Sequence, residues 1–175
     1  MVILYESQTF LCELENDIIY LKTKEDRFEI KDVEPVKENL SNLFYYIDGK
    51  PYLFSFIFDV SGLSYGTLFR YCKSLSKFFI EKREKWKIHQ QVSTCITDKT
   101  IVKTLVQPIV NFTNTGKPFK FVSNKQEGIE FINLKKNGFD FDLNFSELDI
   151  SNDVNLDSML NEYETSQDTN ISTTS

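Results

Sequence analysis

A chain of 175 residues, 41% hydrophobic and 14% aromatic with sixteen Phe, has ample material for one folded domain and is not disordered throughout. Its net charge of −6 is unevenly spread: residues 135–175 hold nine of the 26 acidic side chains and two of the 20 basic ones, leaving residues 1–134 with 18 bases against 17 acids. That near-neutral part offers no broad basic field, so nucleic acid is not an expected partner.

No window approaches the ~20 apolar residues that a bilayer span needs. The start, MVILYESQTF, lacks a basic cluster and a long apolar stretch, and it is not read as a signal peptide. Cys12, Cys72 and Cys95 each sit in an apolar-periodic segment. They are expected to be reduced core residues of an intracellular, cytoplasmic protein. The N-x-S/T triplets at Asn39, Asn111, Asn144 and Asn170 then read as chance matches.

In chain order, Phe10–Leu14 and Ile18–Leu21 predict two short strands joined by the turn residues Glu15-Asn16-Asp17. Phe28 and Ile30 suggest a brief extended continuation. Val33, Val36, Leu40, Leu43 and Phe44 recur at helical spacing, with Pro35 in a first turn and Asp48-Gly49-Lys50-Pro51 as the stop. Tyr52–Val60, aromatic-rich and apolar on both faces, predicts a central strand buried on two sides.

A helix from Gly66 to about Glu84 follows, with Leu68, Cys72, Leu75 and Phe79 inward and Arg70, Lys73, Lys77 and Lys82 outside the stripe. Ile88–Ile96 reads as a more polar strand. A helix from about Asp98 comes next, carrying Ile101, Val102, Leu105, Ile109 and Phe112 inward and kinked at Pro108. Phe119–Val122 is a last strand, and Ser123 with Gln126 forms a capping-box pair opening a helix through Ile129, Ile132 and Leu134. The order ββ-α-β-α-β-α-β-α implies a single α/β domain over residues 1–134: a mostly parallel central sheet, an N-terminal β-hairpin and four helices. Residues 135–175 are expected to be an acidic, largely disordered tail.

Catalytic chemistry has little to draw on. His89 is the only histidine, and on a strand it would lie about 20 Å from Cys95, too far for a dyad. There is no G-x-x-x-x-G-K-[ST] and no G-x-G-x-x-G, so no cofactor is expected. Asp140, Asp142, Glu147 and Asp149 lack the central glycine and the spacing of a calcium loop, so no metal is expected. The chain is therefore read as a non-enzyme.

Three features remain as binding candidates. The loop containing Asp59, Ser61, Gly62, Ser64, Tyr65 and Thr67 lies at the carboxyl end of the central strand and leads into a helix N-terminus, a place where ligands and added phosphate are favoured. Ser64 alternatively serves as a plain helix cap. Arg70, Lys73 and Lys77, continued by Lys82, Arg83, Lys85 and Lys87, form a basic edge that is either a solvated face or a dock for an acidic partner, a lipid headgroup or the chain's own acidic tail. In the tail, Phe139, Phe141, Leu143 and Phe145 alternate with polar residues, a period that suits a strand added to a sheet edge or a cover for apolar surface.

This element order, with the stretch Phe58-Asp59-Val60-Ser61-Gly62-Leu63-Ser64, resembles the STAS domain of bacterial anti-sigma-factor antagonists and of sulfate-transporter cytoplasmic tails. The resemblance covers about Phe10 to Leu134: a strand pair, the helix Val36–Tyr46, then an apolar strand closing in D-V-S-G-L where the family has D-L-S-G-V. It implies a regulatory module that binds a protein partner through the loop after that strand. Members switched by phosphorylation continue with an Asp-Ser-Ser-Gly cluster opening the next helix. This chain instead runs from Ser64 into Tyr65-Gly66-Thr67, so the phosphorylatable serine does not carry over, and Ser61, Ser64 and Thr67 are its nearest counterparts. Two other classes fit the same sequence: a small-ligand or lipid-binding protein of Sec14-like type, and a structural component of a larger, even viral, assembly.

Overall fold

The computed structural model describes residues 1–27, 29–97 and 116–137, together with Thr100, Lys103 and Gln107. All of them fall within one compact unit, Met1–Asp140. The tail motif Phe139, Phe141, Leu143 and Phe145 lies outside the described residues, as do Phe28, Pro108 and the apolar positions expected to line the helix after Asp98. Of that helix, Thr100, Lys103 and Gln107 are described, and they are helical.

The domain is α/β, with a six-stranded sheet of order β1-β2-β3-β6-β7-β8. Strands β1 (Val2–Glu6), β2 (Phe10–Glu15) and β3 (Ile18–Thr23) form an antiparallel meander. Strands β6 (Phe54–Asp59), β7 (Gln90–Ile96) and β8 (Phe119–Val122) continue from β3 in parallel. The sheet is thus mostly parallel across β3-β6-β7-β8, as expected. The edge is three-stranded rather than a hairpin, because Val2–Glu6 also pairs.

Alternation along each strand sends successive side chains to opposite faces. On one face Ile19, Leu21, Phe54, Phe56 and Cys95 meet helices α1 (Ile30–Ser41), α2 (Tyr65–Glu81) and α3 (Arg83–His89). On the other, Tyr20, Ile57, Val92, Ile96 and Val122 meet Ile132 of α4 (Lys125–Asn137). Among the described residues no helix is long and apolar enough to cross a membrane.

Several expected boundaries shift. Ile30 opens α1 instead of extending a strand, so Pro35 falls inside the helix rather than in its first turn. The helix ends at Ser41, not at Phe44 or Tyr46. Leu43 and Phe44 still reach the core, because their amides bond back three residues, to Leu40 and Ser41, and prolong the turn geometry. The supposed stop signal is a hairpin turn: Tyr46–Ile47 (β4) pairs with Lys50–Pro51 (β5). Asp48 and Gly49 between them have φ of 51° and 77°, the left-handed pair of a type I′ turn.

The long basic helix breaks at Lys82, whose φ of −101° and ψ of 12° let α3 turn Trp86 and His89 inward. His89 therefore closes a helix, and the strand begins at Gln90 rather than Ile88. In α4 the capping pair sits one residue later than expected: Asn124 Oδ1 accepts from the Glu127 amide at 3.0 Å, and Glu127 Oε2 accepts from the Ser123 amide at 2.9 Å. Ser123's amide, with Lys120 beside it, holds the Glu127 carboxyl below its usual range. The helix runs on to Asn137, and Leu134, expected inward, is 68% exposed.

Candidate functional site

The loop after β6 is built from Asp59 upward. Asp59 ends the central strand with its side chain buried, and both carboxylate oxygens are engaged. Oδ2 accepts from the Tyr20 hydroxyl at 2.7 Å. Oδ1 accepts from the Ser61 amide at 3.1 Å and from Ser61 Oγ at 2.7 Å. The amide contact two residues on is an Asx turn, the reason Asp suits a strand-to-loop corner. The Asp59 carbonyl also accepts from Thr23 Oγ1 at 3.1 Å. Burial, with the Asp59 carboxylate beside it, raises the Tyr20 phenol well above its usual range, so Tyr20 remains a donor throughout ordinary pH.

Above this base, Val60 and Leu63 plug the core while Ser61, Gly62 and Ser64 face solvent. Ser64 caps α2: its Oγ accepts from the Thr67 amide at 3.4 Å and donates to Thr67 Oγ1 at 3.2 Å. The Ser64 amide donates to Asp26 Oδ1 at 2.8 Å, which ties the loop to the β3–α1 connection. A carboxylate at a helix N-terminus is favoured by the exposed amides there. Tyr65 and Thr67 are half-buried in the first turn, so the loop presents three side-chain positions, at Ser61, Gly62 and Ser64.

Arg70, Lys73 and Lys77 all lie on the exposed stripe of α2, at the spacing read from the sequence. The longer basic edge does not hold together. Arg83 and Lys87 are half-buried, and Lys87 Nζ pairs with Glu84 at 3.0 Å. Lys77 also borders an open groove of about 470 Å³ whose other walls include Glu34, Lys37, Glu38 and Glu81. The surface beside Lys77 is therefore of mixed sign.

All three cysteines are free and buried. Burial pushes the Cys12 and Cys72 thiols up to about 12, and Cys95 rises further with Cys72 and Asp59 nearby. None is poised as a thiolate. His89 is buried with Nδ1 2.8 Å from the Tyr52 carbonyl and with the rings of Phe44 and Tyr46 packed on it. It closes α3 just before β7, whereas Cys95 lies near that strand's end beside Asp59. No group of three His, Cys, Asp or Glu side chains among the described residues could hold a metal.

Sequence reading missed Tyr20, Thr23 and Asp26, which shape the loop from 36 to 39 residues away. Comparison with protein-family models, with curated proteins and with solved structures gives no match. The fold itself gives only the class: the described residues form an α/β unit with a mixed, mostly parallel sheet.

Proposed function

We propose that this chain is a STAS-like, non-enzymatic binding module of the cell interior that engages a protein partner through the Asp59–Thr67 loop and the start of α2. One observation carries the reading. Ser61, Gly62 and Ser64 stand exposed on a loop whose backbone is fixed from below by a buried, fully bonded Asp59. A loop held in one shape loses little entropy when a partner docks. Arg70, one turn further along α2, extends the same surface with a positive charge. A phosphate on Ser64 would add nearly two negative charges beside Asp26 and would disturb the contact that ties the two loops.

Gly62 gives a clean probe, because a Cβ there meets nothing within 4 Å. Gly62→Arg should leave thermal stability unchanged and abolish stoichiometric capture of the partner from the source cell. Ser64→Asp, which keeps a capping oxygen, should alter partner affinity without unfolding the domain. A partner held equally well by wild type and both variants would remove the loop from the reading. If the full chain captures nothing, the binding-module reading itself fails.

A further inference from the structure

Two tight turns share a backbone form and differ in chemistry. In the β2–β3 turn Asn16 and Asp17 have φ of 49° and 60°, and in the β4–β5 turn Asp48 and Gly49 have 51° and 77°. Each turn is two residues long, closed by Glu15↔Ile18 in the first and Ile47↔Lys50 in the second. An aspartyl side chain followed by glycine is open to attack by the next backbone nitrogen, because no side chain on that residue blocks the approach. Asp48-Gly49 is such a pair, whereas Asn16 is followed by Asp17. The chain's other Asp-Gly or Asn-Gly pair, Asn137-Gly138, reaches past the described residues.

A type I′ turn sets its first side chain away from the next amide, so attack needs the turn to open and rotate about Asp48 ψ. The cost of opening therefore decides which turn reacts. Strands β4 and β5 are two residues each and form a sheet of their own, and such an isolated ribbon is marginally stable. Tyr45 stacks on Tyr52 and its carbonyl accepts from the Tyr52 amide at 2.8 Å, which holds the base of the hairpin and leaves the tip to open. Residues 45–50 are all exposed, and a Cβ at Gly49 would meet nothing within 4 Å. By contrast β2 and β3 are six residues each inside the six-stranded sheet. Asp17 there accepts from the Tyr52 hydroxyl at 2.9 Å and, through its carbonyl, from the Ser55 amide at 2.8 Å.

We propose that Asp48-Gly49 is a site of spontaneous isoaspartate formation, and that the modified chain is a substrate for a carboxyl methyltransferase that recognises isoaspartate. Gly49 N bonds to Asp48 Cγ and loses its proton while the carboxyl loses a hydroxyl, so one water leaves and a succinimide forms. Water then adds back. Entry at Cγ restores aspartate. Entry at the main-chain carbonyl breaks the original peptide bond, and the chain then runs through Cγ with a free α-carboxylate. That carboxylate accepts the methyl group of a sulfonium donor. The altered backbone is one carbon longer and does not fit a two-residue turn. The Ile47↔Lys50 pair is released, and with it the Tyr46 ring from His89, 5.4 Å away between centroids.

The test is to age the full chain at neutral pH, both native and in denaturant. Peptide mapping locates isoaspartate, and methyl transfer from labelled S-adenosylmethionine by an isoaspartyl methyltransferase counts it. The native fold should slow the reaction at Asp48 by no more than about tenfold, and deamidation of Asn16 by at least about a hundredfold, as tip opening and sheet opening differ. Asn137 falls in a separate peptide and gains mass on deamidation, which isomerisation of Asp48 does not. Asp48→Asn keeps a residue suited to positive φ and supplies ammonia as a better leaving group, so succinimide should form there several-fold faster. In the isoaspartyl form the Lys50 amide should exchange faster, with β2–β3 amides unchanged. A native chain that keeps Asp48 intact while the denatured chain loses it overturns the proposal, as does equal slowing at Asn16 and Asp48. Isoaspartate that leaves Lys50 exchange unchanged overturns the release of the turn.

Discussion

The two faces of the sheet are built on different principles. The face under α1, α2 and α3 is packed with rings: Trp86 has Phe44, Phe54, Phe56, Phe78 and Phe79 around it, with ring centroids 5.1–6.4 Å apart. The face under α4 is smaller and partly polar. Tyr20 reaches Asp59 across it, Lys125 Nζ stands 4.0 Å over the Tyr20 ring, and Ser55 and Thr94 keep buried hydroxyls without hydrogen-bond partners among the described residues. Gly128 lets α4 approach closely, since a Cβ there would lie 3.0 Å from Thr94 Oγ1 and 3.3 Å from Ile57 Cδ1. One face draws its stability from buried area, the other from close approach and a few directed contacts.

The largest effect should come from the ring-packed face. Trp86→Ala empties the centre of that cluster and is expected to cost about 3–5 kcal/mol in denaturant unfolding. A loss near 1 kcal/mol would mean that the surrounding rings collapse into the space, and the contrast between the faces would weaken.

Next comes a buried carboxylate at the margin of the same face. Asp32 accepts from the Tyr5 hydroxyl at 3.1 Å and from the Thr9 hydroxyl, fastening β1 and the β1–β2 turn to α1. Burial acts to raise its pKa, but the Thr9 and Tyr5 hydroxyls, with Lys31 and Ser7, outweigh this and hold it below the usual Asp value. A group whose folded pKa is depressed stabilises above its unfolded pKa, about 4, and loses that contribution as pH falls through the folded value. Asp32→Asn should cost about 1–3 kcal/mol near neutrality. Unfolding free energies compared at pH 7 and pH 3 should differ less in the variant than in wild type. An unchanged difference would place the acid sensitivity elsewhere.

On the α4 face, Tyr20→Phe removes one donor from Asp59 and keeps the ring under Lys125. A loss of about 1–2 kcal/mol is expected by thermal or denaturant unfolding. No loss would mean that water replaces the phenol, and Asp59 would then be less enclosed than its partners suggest.

The smallest change sharpens the comparison most. Gly128→Ala gains helix propensity of up to about 1 kcal/mol. It also forces Thr94 and Ile57 to give way, for a net loss of about 1 kcal/mol. Pairing it with Thr94→Ala, which removes the obstructing oxygen, should return stability to wild type or above. A net gain from Gly128→Ala alone would show that α4 is not closely seated.

The parallel half of the fold was legible because period and burial agree there: Phe54–Asp59 is buried on both faces, and Leu68, Cys72 and Leu75 repeat at helical spacing. What escaped had mixed signals. Leu43 and Phe44 keep the helical phase after α1 has ended, and this masked the Asp48-Gly49 turn behind them. Val2–Glu6 lacks clean alternation because the strand is bulged and half-exposed. For the loop, Asp59 and Ser64 could be read locally as a corner and a cap. Tyr20, Thr23 and Asp26 could not, since only the parallel pairing of β3 with β6 brings them there.

That junction also orders the assembly of the chain. The meander β1–β2–β3 lies within residues 2–23 and its pairings are local, so it can close on the microsecond scale of hairpins. The register Ile18↔Ser55 spans 37 residues, and α1 with the small β4–β5 hairpin must be threaded between them. Loop closure of that length carries its entropy before any contact rewards it. The first three strands thus offer a template, first to leave a ribosome, onto which the rest of the sheet is laid strand by strand.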